Sequence, residues 1–428
     1  MLKNRLWLGL ALVLPLAALA FAPPPAARWW KGNIHTHTLW SDGNQFPELV
    51  VDWYRQRGDY HFLALTEHNV LADHERWIDN DLVVRRGGRT ALKDYRERFG
   101  EDRVETRSGE DGKLEVRLKT LDEFRPMFDA AGEFLLIAAE EVTDSYEKAP
   151  IHINATHIAA KIAPQHGDSV RDVIQRNLRA IAAQSAETGL PVLAHVNHPN
   201  FGWAITAEDL AHVPEEKFFE VYNGHPSVHQ LGDEAHAGIE RMWDIANAIR
   251  IQELGLPPLF GVATDDSHNY HNGSGSTPGR GWVQVRAATL EAGALIEAMH
   301  AGAFYASSGV VLAAVDFDGE ELALEVAGVA GETYRIDFVG TRAGVALAGE
   351  AVLDAEGKEL PVTRRYPDGV GEVFATVQGQ RGRYRLRGDE LYVRAVVTSS
   401  AAPENPVWDE QRQQAWTQPV GWAARVGR

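Results

Sequence analysis

Histidines and carboxylates recur in short clusters through the first two thirds of the chain, at spacings that suit metal ligation. In Lys31-Gly32-Asn33-Ile34-His35-Thr36-His37 the two histidines stand two residues apart. Side chains of an extended segment alternate faces, so His35 and His37 point the same way and can hold one ion. A Ser41-Asp42-Gly43 turn follows, and Asp42 can fold its carboxylate back over the same spot. A single His-x-His pair is weak evidence. The companions strengthen it. Leu63–Leu65 leads into Thr66-Glu67-His68-Asn69, and Leu135–Ala138 leads into Glu140-Glu141. His152 falls in the next apolar run, Val192–Val196 leads into His198-Pro199-Asn200, and Gly261–Ala263 leads into Asp265-Asp266-Ser267-His268. Each cluster sets a histidine or carboxylate at the end of a strand-like run. Chance would give one or two of these; about six make a metal cluster. Two choices stay open on spacing alone: His152 against His157, and His195 against His198, with the strand exit before Pro199 favouring His198.

The elements that must position these groups alternate. Asn33–Thr38, Phe62–Leu65, Phe134–Ala138, Ile151–Ala155, Val192–Val196, Phe218–Tyr222 and Leu259–Ala263 predict strands. Phe46–Arg57, Ser169–Thr188 and Glu234–Leu254 carry helical spacing. Strand–helix alternation predicts an α/β fold with a largely parallel sheet, and about seven strands favour a barrel with active groups at the strands' C-terminal ends. Residues 71–130 form a charged insertion, a lid or a solvated flap, with a hairpin near Gly109–Lys113. From about residue 311 the runs become short, alternate in polarity and are separated by glycine-rich turns. That predicts a smaller all-β sandwich over 311–400, followed by a tail, 401–428, packing back. No histidine follows His300, so the chemistry belongs to the first part.

Composition sets the limits. The chain has no cysteine, which excludes disulfides, thiolate ligands and a cysteine nucleophile. Its net charge of -18 repels nucleic acid over most of the surface; an anionic substrate must be gripped locally, most simply by metal ions. Lys3 and Arg5, the apolar stretch Leu6–Ala22 and the small-x-small triplet Ala18-Leu19-Ala20 predict a signal peptide over 1–20, cut after Ala20, and hence a periplasmic or secreted protein.

Taken together, the motifs I-H-T-H-T-L-W-S-D-G, L-T-E-H-N, A-E-E-V-T, the histidine at 152, N-H-P-N and D-D-S-H resemble the polymerase and histidinol phosphatase (PHP) family of metal-dependent phosphoesterases, in the expected order over about residues 31–310. The resemblance implies a distorted seven-stranded (β/α) TIM-like barrel holding up to three divalent ions: zinc, manganese or iron. Carried over, His35, His37, Glu141 and Asp266 hold one ion. Glu141 bridges to a second, held also by His152 and His198, and Asp42, His68 and His268 hold a third. Glu141, Asp266 and His198 count as the catalytic residues among them. The chain departs from the family at Glu67, where an aspartate is usual, and at Asn200-Phe201, where some members carry a phosphate-gripping arginine. Asn223 and His225, in E-V-Y-N-G-H-P, and Arg280, in P-G-R-G-W, are candidate substrate contacts.

The function these features imply is an exported phosphoesterase that hydrolyses small phosphomonoesters, nucleotides or short oligonucleotides with a metal-activated hydroxide. The competing readings are a 5′–3′ exonuclease, an amidohydrolase-like C–N or C–O hydrolase, and a non-catalytic surface-binding protein acting through its sandwich. The expected partner is a small phosphorylated substrate or short oligonucleotide, with no stable nucleic-acid or membrane partner. The substrate, the metal and the oligomeric state stay open.

Overall fold

The computed structural model describes residues 26–271 and 273–426; the export segment expected at 1–20 lies outside them. Among the described residues no helix is long and apolar enough to cross a membrane. In chain order the elements are β1 (Arg28–Asn33), α1 (Pro47–Gln56), β2 (Phe62–His68), β3 (Arg76–Asp79), α2 (Asn80–Gly87), α3 (Ala91–Phe99), β4 (Thr106–Ser108), β5 (Leu114–Leu118), α4 (Leu121–Phe128), β6 (Leu135–Tyr146) and β7 (Ala149–Thr156). They continue with α5 (Val170–Thr188), β8 (Leu193–Val196), α6 (Ala207–Ala211), β9 (Phe218–Asn223), α7 (Ile239–Gln252), β10 (Phe260–Thr264), β11 (Trp282–Ala287), α8 (Ala292–His300) and β12 (Phe304–Ser307). The last are β13 (Leu312–Phe317), β14 (Glu321–Val326), β15 (Tyr334–Arg342), β16 (Glu372–Gln378), β17 (Arg381–Arg385), β18 (Glu390–Ser399) and β19 (Gln414–Thr417).

Local chemistry explains the helix limits. Pro47 opens α1, where its missing N–H costs no helical bond. Ser169 accepts from the Asp172 N–H at the start of α5, and Gly189 ends that helix in the left-handed region. The strands β2, β8, β9 and β10 are buried on nearly every residue because neighbours cover both faces of the sheet.

The mixed α/β architecture is as expected; the closed barrel is not what the hydrogen bonds show. Thirteen strands form one mixed sheet in the order β10-β9-β8-β7-β6-β2-β1-β11-β12-β19-β18-β15-β16. The pairs β1–β2, β2–β6, β8–β9 and β9–β10 are parallel, whereas β7 runs antiparallel to both of its neighbours. The free edge of β1 is taken by antiparallel β11, which leaves no ladder for β10. The two ends of the seven-stranded part meet only beyond the strands, at a single parallel bridge between Thr36 and Ser267. There the His37 N–H donates to the Ser267 carbonyl at 2.9 Å and the Asp266 N–H to the His35 carbonyl at 3.0 Å. The predicted strand over 33–38 is also corrected. Pairing ends at Asn33, and His35 and His37 lie on the extended continuation.

A second sheet, β13-β14-β17, packs over β15 and β18 around Leu322, Leu324, Ile336, Phe338, Tyr384 and Val393. This layer shares its other sheet with the first part of the chain, because β19 lies between β12 and β18. Beyond β19, the Gln418 amide pairs with the backbone of Gly261 in β10. It accepts from the N–H at 2.8 Å and donates to the carbonyl at 2.9 Å, as a neighbouring strand would.

Residues 71–130 carry a third small sheet, β3-β5-β4. They share a core with the loop after His37, in which Leu39, Trp40 and Phe46 pack against Ile78, Val83, Tyr95, Val116 and Leu118.

Candidate metal centre

Register brings the ligand candidates level. His68, the last residue of β2, pairs directly with Glu141 of β6, so their side chains share a face. Strand β6 runs past the site and returns as β7, with Thr143 opposite His152. Glu141, two residues before Thr143, therefore points to the same side as His152. This is why Glu141 sits in mid-strand rather than at a strand end. His198 follows β8, and Asp266 and His268 follow β10. His198 and Asp266 both have positive φ, 27° and 48°, a region that non-glycine residues rarely occupy. The strain falls where the chain aims these side chains inward. Gly43 lets the Asp42 turn fold back, since a Cβ there would come within 2.6 Å of the His37 carbonyl.

Around the first position, Asp266 Oδ1 lies 3.2 Å from both His35 Nε2 and His37 Nε2. Glu141 lies 3.4 Å from His35 Nε2 and 3.5 Å from His37 Nε2. A tetrahedral ion with donors at about 2.1 Å needs donor–donor edges of about 3.4 Å, and these four histidine–carboxylate distances match such edges. At the second position Glu141 Oε1 is 3.0 Å from His152 Nδ1 and 3.6 Å from His198 Nε2. His198 also groups with His35 and Asp266, and His68 with Glu141 and His152, so both bridge toward neighbouring positions. At the third, Asp42 Oδ1 is 3.2 Å from His268 Nε2 and 3.5 Å from His68 Nε2. His37 joins this group through Nδ1, 3.9 Å from Asp42, and its ring stacks between those of His68 and His268.

The donor atoms themselves test the fit. His35 Nε2, both nitrogens of His37, Glu141 Oε2 and His152 Nδ1 are buried without a hydrogen-bond partner. Burying an unpaired polar atom costs about 1–3 kcal/mol, and several converging nitrogens and carboxylate oxygens are the donor set that a divalent ion satisfies. Burial alone would raise the Glu141 and Asp266 carboxyls. The surrounding histidines outweigh it and hold both well below the usual carboxylate range, so both stay anionic ligands.

Several residues shape this cluster from behind. Glu220 in β9 accepts from His35 Nδ1 at 2.6 Å, Thr264 Oγ1 at 2.6 Å, the His198 N–H at 2.7 Å and Asn223 Nδ2 at 2.7 Å. It fixes the His35 tautomer and turns Nε2 to the ion position. Asn197 donates to Glu141 Oε1 at 2.7 Å and to Asn154 Oδ1 at 3.0 Å. Glu67 accepts from Thr38 Oγ1 at 2.6 Å and from the Ser41 hydroxyl, which pins the turn that carries Asp42. Asp265 accepts from the N–H groups of Gly279, Arg280 and Gly281 and from the Tyr54 hydroxyl, tying down the loop after Asp266.

The structure separates His152 from His157, whereas His195 and His198 each group with His35 and a carboxylate, Glu220 and Asp266 respectively. His157 turns away to the Pro191 carbonyl, while His152 faces Glu141. His195 is fully buried behind the cluster, 3.6 Å from Glu220. Of the candidate substrate contacts, His225 borders the mouth half-buried, its ring 5.6 Å from that of His268. Asn223 donates to Asp266 Oδ2 at 3.1 Å and positions that carboxylate. Arg280 does not face the site as expected. Its guanidinium donates to the carbonyls of Gly224, Gly275 and Asn405 at 2.7–3.0 Å, which clamps three loops together. Asn197 was the residue that spacing missed, and the amide just beyond β8 was its only signal; Glu220, in E-V-Y-N-G-H-P, already marked a strand end facing the mouth.

The α/β sheet gathers at one mouth the histidine and carboxylate donors that a divalent ion could use. No family model and no curated protein matches the chain. Among solved structures it is similar to a two-domain protein from Bacteroides vulgatus containing a predicted PHP-like metal-dependent phosphoesterase. That likeness has 14% identity and a TM-score of 0.37, over 93% of this chain and 97% of the other. It is also similar to a provisionally assigned metal-dependent phosphoesterase from Bifidobacterium adolescentis, at 14% identity and a TM-score of 0.29, over 60% of this chain and 93% of the other. At these scores the likeness carries no argument about what the chain does; that argument rests on its own residues.

Proposed function

We propose that the chain is a metal-dependent phosphoesterase acting on small phosphate esters and working after export. The observation that carries the reading is the convergence of unpartnered, buried imidazole nitrogens and a carboxylate oxygen at one mouth. His35, His37, Glu141 and Asp266 would hold one divalent ion, Glu141, His152 and His198 a second, and Asp42, His68 and His268, with His37 beside them, a third. Bound ions at such a site supply Lewis acidity toward phosphoryl oxygens and lower the pKa of water. The chain's own side chains do the positioning. Glu220 holds the His35 ring, Asn223 and Asn197 hold the two central carboxylates, and Glu67 holds the Asp42 turn. The clustered residues offer no cysteine, serine or lysine nucleophile, which fits direct attack by water on phosphorus. The net charge of -18 favours small phosphomonoesters over long polymers, and thus a phosphatase over an exonuclease.

The test combines metal counting with turnover. Protein purified without chelators is expected to carry about three ions per chain. His37→Ala together with Glu141→Ala should abolish both metal retention and hydrolysis of p-nitrophenyl phosphate, with the far-ultraviolet dichroism unchanged. Turnover that persists in the folded double variant would overturn the reading. One tightly held ion instead of three would favour the amidohydrolase-like alternative.

A further inference from the structure

The insertion brings two arginines to the metal mouth that nothing in the site described so far uses. Arg76 opens β3, and its guanidinium lies 5.3 Å from the ring of Trp40, two residues before Asp42. Arg86, in the last turn of α2, donates to the carbonyl of Ser41, the residue before Asp42. Both are half-buried. Both flank the turn that carries Asp42; burial lowers the Arg76 pKa, Glu67 pulls it up, and Arg86 pushes it down. Among the described residues neither has a carboxylate at ion-pair distance, and the Arg76 guanidinium donates no hydrogen bond to the protein.

The contrast with the buried arginines Arg250, Arg280 and Arg394 is informative. Arg250 and Arg280 are saturated by backbone carbonyls, and Arg394 is paired with Asp244. Arg76 and Arg86 keep donors to spare, and Asp42 beside them is half exposed at the mouth. Two guanidinium groups held close together and partly out of water favour an anion between them, and their planar forks suit phosphoryl oxygens. In a chain this acidic, the pair is local positive charge placed next to the third ion position. The insertion's packing on Trp40 fixes that placement.

We propose that Arg76 and Arg86 form an anion subsite beside Asp42, and that the substrate is a phosphate ester bearing a second phosphate-like group. This rests on the phosphoesterase reading: the ion cluster takes the ester phosphate, and the arginine pair takes the second anionic group.

The test is calorimetric and needs no turnover. Metal-loaded protein is titrated with ethylphosphonate and with ethane-1,2-diphosphonate, and metal content is checked afterwards. The wild-type chain should bind the diphosphonate at least tenfold more tightly. In Arg76→Gln/Arg86→Gln the ratio should fall to about twofold or less. Arg76→Gln alone, which leaves the Ser41 contact in place, should reduce it in part, and Arg76→Lys/Arg86→Lys should restore some of it. Equal affinities in the wild type, or a ratio that survives the double substitution, would overturn the subsite. If ethylphosphonate fails to bind the wild type, the phosphoesterase reading fails. The subsite is then judged on diphosphonate binding alone: its loss in the double variant supports the arginine pair, and its survival refutes it.

Discussion

Glu220 shows how much of this site depends on a residue that accepts from the groups around it. Its four donors come from His35, Thr264, His198 and Asn223, so one carboxylate orients groups on four segments. Glu220→Gln keeps the shape but turns an N–H₂ toward two donors. Substitution of such supporting partners typically costs about 10–100-fold in metal affinity. We expect that loss in competition titrations against a chromogenic chelator, with the fold intact by dichroism; unchanged affinity would remove Glu220 from the positioning role. At this scale the sequence was informative where chemistry is unusual. Histidines and acids at the ends of apolar runs stand out, and the structure brings all nine candidate ligands together. Asn197 did not stand out, because a polar residue at a strand end has the same local appearance whether it faces solvent or a buried carboxylate. Arg280 was misjudged for the opposite reason. A loop arginine looks free in sequence, and only the assembled loops reveal the carbonyls that claim it.

Among the elements, strand existence was legible and strand pairing was not. Most runs expected as strands are strands, because apolar content and turn residues act locally. The open thirteen-stranded order, the antiparallel β7 and the capture of β1 by β11 depend on contacts far apart in sequence, which leave no periodic trace. The junction of β9 with α7 illustrates an energetic consequence. Glu216 is fully buried, and burial pushes its carboxyl up to about 8 against the opposing pull of Arg250. The folded chain thus keeps a proton that the unfolded chain loses near 4.5. Between those values the native state binds more protons, so stability falls as pH rises, by up to about 1.4 kcal/mol per pH unit. Urea midpoints should drop between pH 5.5 and 7.5. Glu216→Gln should flatten that part of the profile; an equal slope in the variant would refute the assignment.

Across the whole molecule, the two halves are joined by buried charge as well as by the continuous sheet. Arg394 of β18 forms a bidentate pair with Asp244 of α7, at 3.0 and 2.7 Å, and the Tyr392 hydroxyl donates to the same carboxylate at 2.7 Å. Removing one member strands the other in the interior, at a cost of about 3–5 kcal/mol. Arg394→Met should therefore lower the urea midpoint sharply, and Arg394→Met/Asp244→Leu should recover most of the loss. If the double variant is no better than the single one, the cost comes from packing rather than charge. This coupling was not visible in the change of pattern near residue 311, which predicted an all-β sandwich with the tail, 401–428, packing back, but not that β19 would lie between β12 and β18.

The Gln418 amide that lines the edge of β10 also bears on timing. Asp266 and His268 sit just beyond that strand, yet the group that completes its edge is encoded about 150 residues later. At about 5–20 residues per second, the ribosome takes roughly 10–30 s to cover that interval. Throughout it the nascent strand stays unfinished on one side. Asp266 and His268 therefore follow a strand whose edge is completed only once synthesis has reached Gln418.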